Sequence, residues 1–143
     1  MVLPMQLRNL TFRSGMELCV KGVIQSSVIR FAINVGHSSD LIALHFNPRF
    51  NYAGDVRTIV LNTKKDETWQ EEQRSKEFPF EAGKDFEVTI LFNSDTFDIY
   101  LSNGSMVQFP NRLGSMAYKY ISFGGEARVR DISVRPSDKP TKR

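Results

Sequence analysis

The sequence predicts an all-β domain, an antiparallel sandwich or barrel, and three observations carry that prediction. Apolar and polar residues alternate with a period of two through nine short runs. Turn residues separate the runs, and no segment of about 11 or more residues carries a helical stripe. Many short strands closely spaced in one small chain pack as sheet on sheet, or as a sheet closed on itself.

The runs justify themselves in order. Residues 16–22 follow the turn Arg13-Ser14-Gly15. In 28–35, Ile29, Phe31, Ile33 and Val35 share one phase against Val28, Arg30, Ala32 and Asn34. In 41–50, Ile42, Leu44 and Phe46 are expected to enter the core, with His45, Asn47 and Arg49 on the opposite face. Pro48 cannot donate to a ladder, which points to an edge or a strand end. After the turn signal at 52–55, residues 57–62 place Thr58, Val60 and Asn62 on one phase and Ile59 and Leu61 on the other. The turn Ala82-Gly83-Lys84 precedes 86–92, where Phe86, Val88, Ile90 and Phe92 alternate with Glu87, Thr89 and Leu91. Asn93-Ser94-Asp95 and Asn103-Gly104 then separate 96–101 from its neighbours, and 106–109, 119–123 and 127–134 complete the series.

A chain of 143 residues is one domain by size and buries roughly two-thirds of its unfolded surface. Residues 1–134 are expected to form that domain and 135–143 a polar, basic tail. The net charge of +3 sits in the tail, where Arg135, Lys139, Lys142 and Arg143 meet one acid, Asp138; the rest of the chain balances 15 basic against 15 acidic residues. A neutral body lacks the clustered basic surface of a nucleic-acid binder, so no nucleic-acid partner is expected. No run approaches about 18 apolar residues, so no membrane insertion is expected either. A single cysteine, Cys19, fits a reducing compartment, and the opening MVLPMQLRNL lacks the pattern of a secretory signal. Cys19 shares the phase of Glu17 and Lys21 and reads first as a small buried or half-buried side chain, second as a redox handle.

Chemistry concentrates in residues 41–74. Beside His45, Asn47 and Arg49 come Asn62 and then Trp69-Gln-Glu-Glu-Gln-Arg74, whose even phase carries Gln70, Glu72 and Arg74. Asp55 and Arg57 either extend this site or cap the loop before it. One surface thus offers a flat aromatic, a carboxylate, two guanidinium groups, amides and an imidazole. Hydroxyls need donors and acceptors in fixed directions, which these planar groups supply, and the apolar face of a pyranose packs on an aromatic ring, so the set suits a sugar. An axial hydroxyl gripped by His45, Asn47 and Arg49 would leave them unpaired in an equatorial epimer, at about 1–3 kcal/mol each if desolvated.

At these residues the chain resembles the galectins, the β-galactoside-binding lectins. The hallmark His-x-Asn-Pro-Arg, Val-x-Asn and Trp-Gly-x-Glu-x-Arg elements read His45-Phe-Asn-Pro-Arg49, Val60-Leu-Asn62 and Trp69-Gln-Glu-Glu-Gln-Arg74. The likeness extends to Phe78-Pro-Phe80, Phe109-Pro-Asn-Arg112 and Phe123-Gly-Gly-Glu-Ala-Arg-Val129. It implies a two-sheet antiparallel jelly-roll sandwich of the galectin and legume-lectin kind, with the sugar on the concave sheet. His45, Asn47 and Arg49 would hold the axial 4-hydroxyl of galactose, Asn62 and Glu72 the 6-hydroxyl, and Trp69 the apolar face. Arg49, Glu72 and Arg74 would reach the adjoining glucose or N-acetylglucosamine. The resemblance further implies no cofactor and no metal. Its expected partners are β-galactoside glycans and glycoproteins and, through the terminal strands, a second copy in a homodimer that crosslinks glycans. The implied location is the cytoplasm, with export that needs no signal peptide.

Two departures stand out: Gln70 replaces the glycine after the tryptophan, and 52–55 reads Tyr-Ala-Gly-Asp where several relatives carry a second histidine. A glycoside hydrolase would need two carboxyls flanking the scissile bond, yet Glu71 and Glu72 face opposite sides of a strand. Arg49 and Arg74 beside Glu72 also oppose its service as a general acid. A non-enzymatic lectin is therefore expected, the alternative being a sugar-blind structural or protein-interaction module on the same fold.

Overall fold

Alternating strands with one apolar face each must pair those faces, and the chain does so in two antiparallel sheets. The computed structural model describes residues 5–137, without the side chains of Met5, Arg8 and Asn9, and no helix lies among them. The seven-stranded sheet runs β1 (Met5–Arg13), β11 (Ala117–Gly125), β3 (Phe31–Ser38), β4 (Leu41–Tyr52), β5 (Asp55–Lys65) and β6 (Thr68–Trp69), with β7 (Gln73–Ser75) also on β5. The five-stranded sheet runs β10 (Met106–Pro110), β9 (Thr96–Leu101), β8 (Asp85–Asn93), β2 (Met16–Ile24) and β12 (Ala127–Pro136). The fold is thus the all-β jelly-roll sandwich, with the barrel alternative excluded.

The core between the sheets is aromatic. Phe31 meets Phe80 edge to face at 5.3 Å, and Phe92 stacks on Phe97 at 4.9 Å beside the buried Tyr118. Pairs of this kind add about 0.5–1.5 kcal/mol beyond the area they bury. Leu44 and Phe46 of β4 and Ile59 and Leu61 of β5 enter this core, leaving His45, Asn47, Arg49 and Asn62 on the outer phase; Ile42, expected in the core, is buried outside it, because the β4 register shifts between Ile42 and His45 and Ala43 takes the core position. The β4–β5 connection is a two-residue hairpin turn with Ala53 at φ 52° and Gly54 at φ 87°, the mirror-image turn whose twist matches paired strands.

Four further expectations need correction. Residues 5–13 form an edge strand with no alternating signature, because its register with β11 slips between Arg8 and Phe12. The run 28–35 starts too early: β3 begins at Phe31 and Ile29 is exposed. Pro48 lies inside an interior strand, neither at an edge nor at a strand end. The β3–β4 ladder stops at Ile33–Phe46 and returns only as the single Arg30–Arg49 bridge, so Pro48 falls in a gap that Asn47 closes through its side chain. The boundary at residue 134 also cuts through β12, which continues to Pro136 while Arg135 pairs with Glu17 at 3.1 Å. The remainder of the expected tail, 138–143, lies outside the described residues. Cys19 is buried, its Sγ 3.8 Å from a Glu87 carboxylate oxygen.

Candidate functional site

Register turns the outer face of the seven-stranded sheet into a polar row. Ser122 pairs with Asn34, Asn34 with His45 and His45 with Asn62, so four side chains from β11, β3, β4 and β5 stand in line. Asn34 Nδ2 donates to Ser122 Oγ at 3.0 Å, which leaves its Oδ1 to accept from His45 Nδ1–H at 2.6 Å. With that proton on Nδ1, the neutral imidazole presents Nε2 as an acceptor. Burial is the main cause of its low basicity, reinforced by the nearby Arg30 and Arg49 charges, and together they take its pKa from 6.5 down to about 4.

All seven residues expected at the site line one open hollow of about 660 Å³. Asn47 is 2% exposed; its Nδ2 donates to the Phe31 carbonyl at 2.7 Å and its Oδ1 accepts from Arg49 Nε at 2.9 Å. One Nδ2 proton is left over. Asn62 is spent in the same way: Nδ2 donates to the Gln70 carbonyl, while Oδ1 accepts from the Thr63 amide and from Arg112. It too keeps one N–H. Trp69, half exposed, tilts against His45 with ring centroids 4.6 Å apart, and Lys64 Nζ sits 5.3 Å from its centre. Its ring is a wall of the hollow, not part of the core.

Two guanidinium groups and two carboxylates lock the remaining side. Arg49 Nη1 donates to Asp55 at 2.8 Å, and Arg74 donates to both Asp55 oxygens at 3.0 and 3.1 Å and to Glu72 at 2.8 Å. Arg49 Nη2 lies 3.9 Å from the other Glu72 oxygen. Arg74, then Arg49, holds the Asp55 carboxyl below the ordinary carboxylate range against the effect of burial. Glu72 and Arg74 are therefore half of a four-membered network and not an isolated surface pair, and Asp55 extends the site.

Sequence reasoning did not find Arg30, which lines the hollow with its guanidinium 4.9 Å from the centre of the Tyr52 ring, nor the support that Asn34 and Ser122 give His45. Gln70 also lines the hollow, its Nε2 donating to the Thr68 carbonyl at 2.9 Å. The missed signal for Asn34 was a polar residue on the outward phase of 28–35, legible only once the strand register is known. Asn34→Asp checks the relay: a carboxylate facing Nδ1 stabilises the imidazolium and should raise the His45 pKa above about 6 in an NMR titration. An unmoved titration would mean that position 34 does not face Nδ1.

Known proteins share this frame. The chain matches the family of galactoside-binding lectins over residues 3–134. It is 52% identical over 138 residues to galactose-binding lectin l-1 of Anguilla japonica, covering 96% of this chain and 97% of that one. Congerin-2 of Conger myriaster is 47% identical over 130 residues, covering 90% and 96%. A congerin II structure with lactose and MES bound superposes with a TM-score of 0.89 at 44% identity, covering 93% of this chain and all of that one. The chain belongs to the galactoside-binding lectins, the galectins.

Proposed function

We propose that the chain is a metal-independent lectin that binds β-galactosides of the lactose and N-acetyllactosamine type without cleaving them. One observation carries the reading: in one hollow, His45 offers a lone pair at Nε2, Asn47 one spare N–H, and Arg49 guanidinium protons. A hydroxyl has one proton to give and two lone pairs to fill, so the three groups match one axial hydroxyl completely. Asn62 and Glu72 form a second donor–acceptor pair suited to the 6-hydroxyl, Trp69 supplies the stacking face, and Arg49, Glu72 and Arg74 reach the adjoining sugar. Against hydrolysis, Glu71 does not line the hollow and Asp55 is engaged by two guanidinium groups. Crosslinking of glycoproteins would follow from a homodimer, where two weak sites gain avidity. The cysteine kept free of disulfides supports a cytoplasmic protein exported without a signal peptide.

Isothermal titration with lactose tests the reading, with cellobiose, whose terminal 4-hydroxyl is equatorial, as the control. Saturable lactose binding without cellobiose binding is expected. Trp69→Ala should weaken lactose about tenfold or more through the lost stacking face while leaving the unfolding midpoint nearly unchanged, since the ring is 45% exposed. Equal heats for both sugars, or a Trp69→Ala variant that binds as well as the parent, would overturn the assignment.

A further inference from the structure

The alternation of β5 reverses once, beside the site. Ile59 and Leu61 face the core, and Arg57, of the same parity, faces it too: its guanidinium lies 4.9 Å from the centre of the Phe78 ring and donates to the Phe78 carbonyl at 3.0 Å. Asp55 shares that parity, so a regular strand would turn it to the same side. Its carboxylate instead reaches the outer face, where it holds Arg49 and Arg74. The partner strand does likewise. Phe50 packs edge to face on Phe78 at 4.9 Å, whereas Tyr52, two residues on, lines the hollow with the Arg49 guanidinium 5.2 Å from its ring centre.

Two backbone features mark the reversal. Arg57 has φ 47°, in the left-handed region that residues other than glycine seldom occupy, and asparagine and aspartate are the usual exceptions. Across the ladder, the amides of Phe50 and Asn51 both donate to the Ile29 carbonyl, at 2.8 and 3.3 Å, a doubled donation that belongs to a bulge. Such outliers persist where the surroundings hold them, and here the hairpin tip is held from the outer face by the Asp55 carboxylate on Arg49 and Arg74.

We propose that Arg57 is a positioning residue for the sugar site: its left-handed backbone swings the hairpin tip that carries Tyr52 and Asp55 onto the outer face, where Asp55 fixes Arg49 and Arg74. Arg57 itself does not line the hollow. Its ligand test rests on the galactoside reading; its geometric test does not.

The experiment compares lactose affinity by titration calorimetry for the parent, Arg57→Asn, Arg57→Val, Asp55→Ala and the Asp55→Ala/Arg57→Val double variant, each checked for folding by circular dichroism. Asparagine tolerates the left-handed region and valine does not, while both lack the guanidinium. Arg57→Asn should bind within about twofold of the parent, Arg57→Val about tenfold or more weakly, and the double variant no more weakly than Asp55→Ala alone. Parent-like binding by Arg57→Val, equal weakening by asparagine and valine, or full additivity with Asp55→Ala would overturn the proposal. If Arg57→Val does not fold, Arg57→Gly against Arg57→Ala poses the same contrast: glycine should bind more tightly, and equality overturns. If the parent binds no lactose, the galactoside reading fails by itself, and the Arg74 Nε–Hε signal in NMR decides the proposal. It should move in Arg57→Val to its position in Asp55→Ala; an unmoved signal would overturn it.

Discussion

Arg49→Ala should abolish lactose binding, a loss of about 100-fold or more, and destabilise the fold by about 3 kcal/mol. The Arg49 side chain ties three groups of the site together. Its Nε fixes Asn47 Oδ1, its Nη1 meets Asp55, and its Nη2 faces Glu72, with 12% of the side chain exposed. Truncation leaves a buried Asn47 acceptor without a partner and two carboxylates sharing one remaining guanidinium, Arg74, while deleting a donor to the axial hydroxyl. Arg49 and Asp55 are the sheltered members of the network, at 12% and 14% exposure, so removing the guanidinium leaves the Asp55 carboxylate and the buried Asn47 oxygen each short of a partner. Arg49→Lys sharpens the point. An ammonium keeps the charge but not the fork, so much of the stability should return and the affinity should not. Urea unfolding and lactose calorimetry on both variants check this. A lysine variant that binds like the parent would show that charge alone suffices and that the planar geometry is irrelevant.

How far the sequence could be read depended on whether a residue's direction followed from its own strand. His45, Asn47 and Arg49 lie on one strand and Asn62 on the next, both regular there, so counting by two places all four on the outer face with Leu44, Phe46, Ile59 and Leu61 behind them; Ile42, beyond the register shift, escaped the count. Trp69 and Arg74 sit on short strands at the sheet edge and Glu72 in the link between them, where parity carried less and the motif carried more. Counting failed wherever the backbone broke its own period. Asp55 could not be placed because Arg57 adopts a conformation that no composition rule assigns to arginine, and β1 was lost to a register slip. Pro48 obeyed its usual rule in form and broke it in place, since a gap in one ladder admits proline to an interior strand. The support for His45 was invisible for a different reason. Ser122 and Asn34 are 88 residues apart and meet only through the order of strands in the sheet, which is a property of topology and not of any segment.

Acid should act on the site and on the fold through one imidazole, in separate pH windows. Lactose binding needs His45 neutral, because Nε2 must accept the hydroxyl proton. With the folded pKa at about 4, affinity should be level from pH 7 to about 5 and fall roughly tenfold per pH unit below about 4. Stability responds earlier. The folded pKa lies below the ordinary value of 6.5, so between those two values the unfolded chain takes up a proton that the folded chain refuses. The contribution is whole above about pH 6.5, declines by about 1.4 kcal/mol per unit as the pH drops, and is spent near pH 4 after a total of about 3 kcal/mol. His45→Gln separates this group from the carboxylates: the amide oxygen still accepts but does not titrate. Its unfolding free energy should lose the slope between pH 6.5 and 4, and its weaker lactose affinity should lose the corresponding fall. A glutamine variant with the parent's full pH profile would place the titrating group elsewhere and remove the neutral imidazole from the centre of recognition.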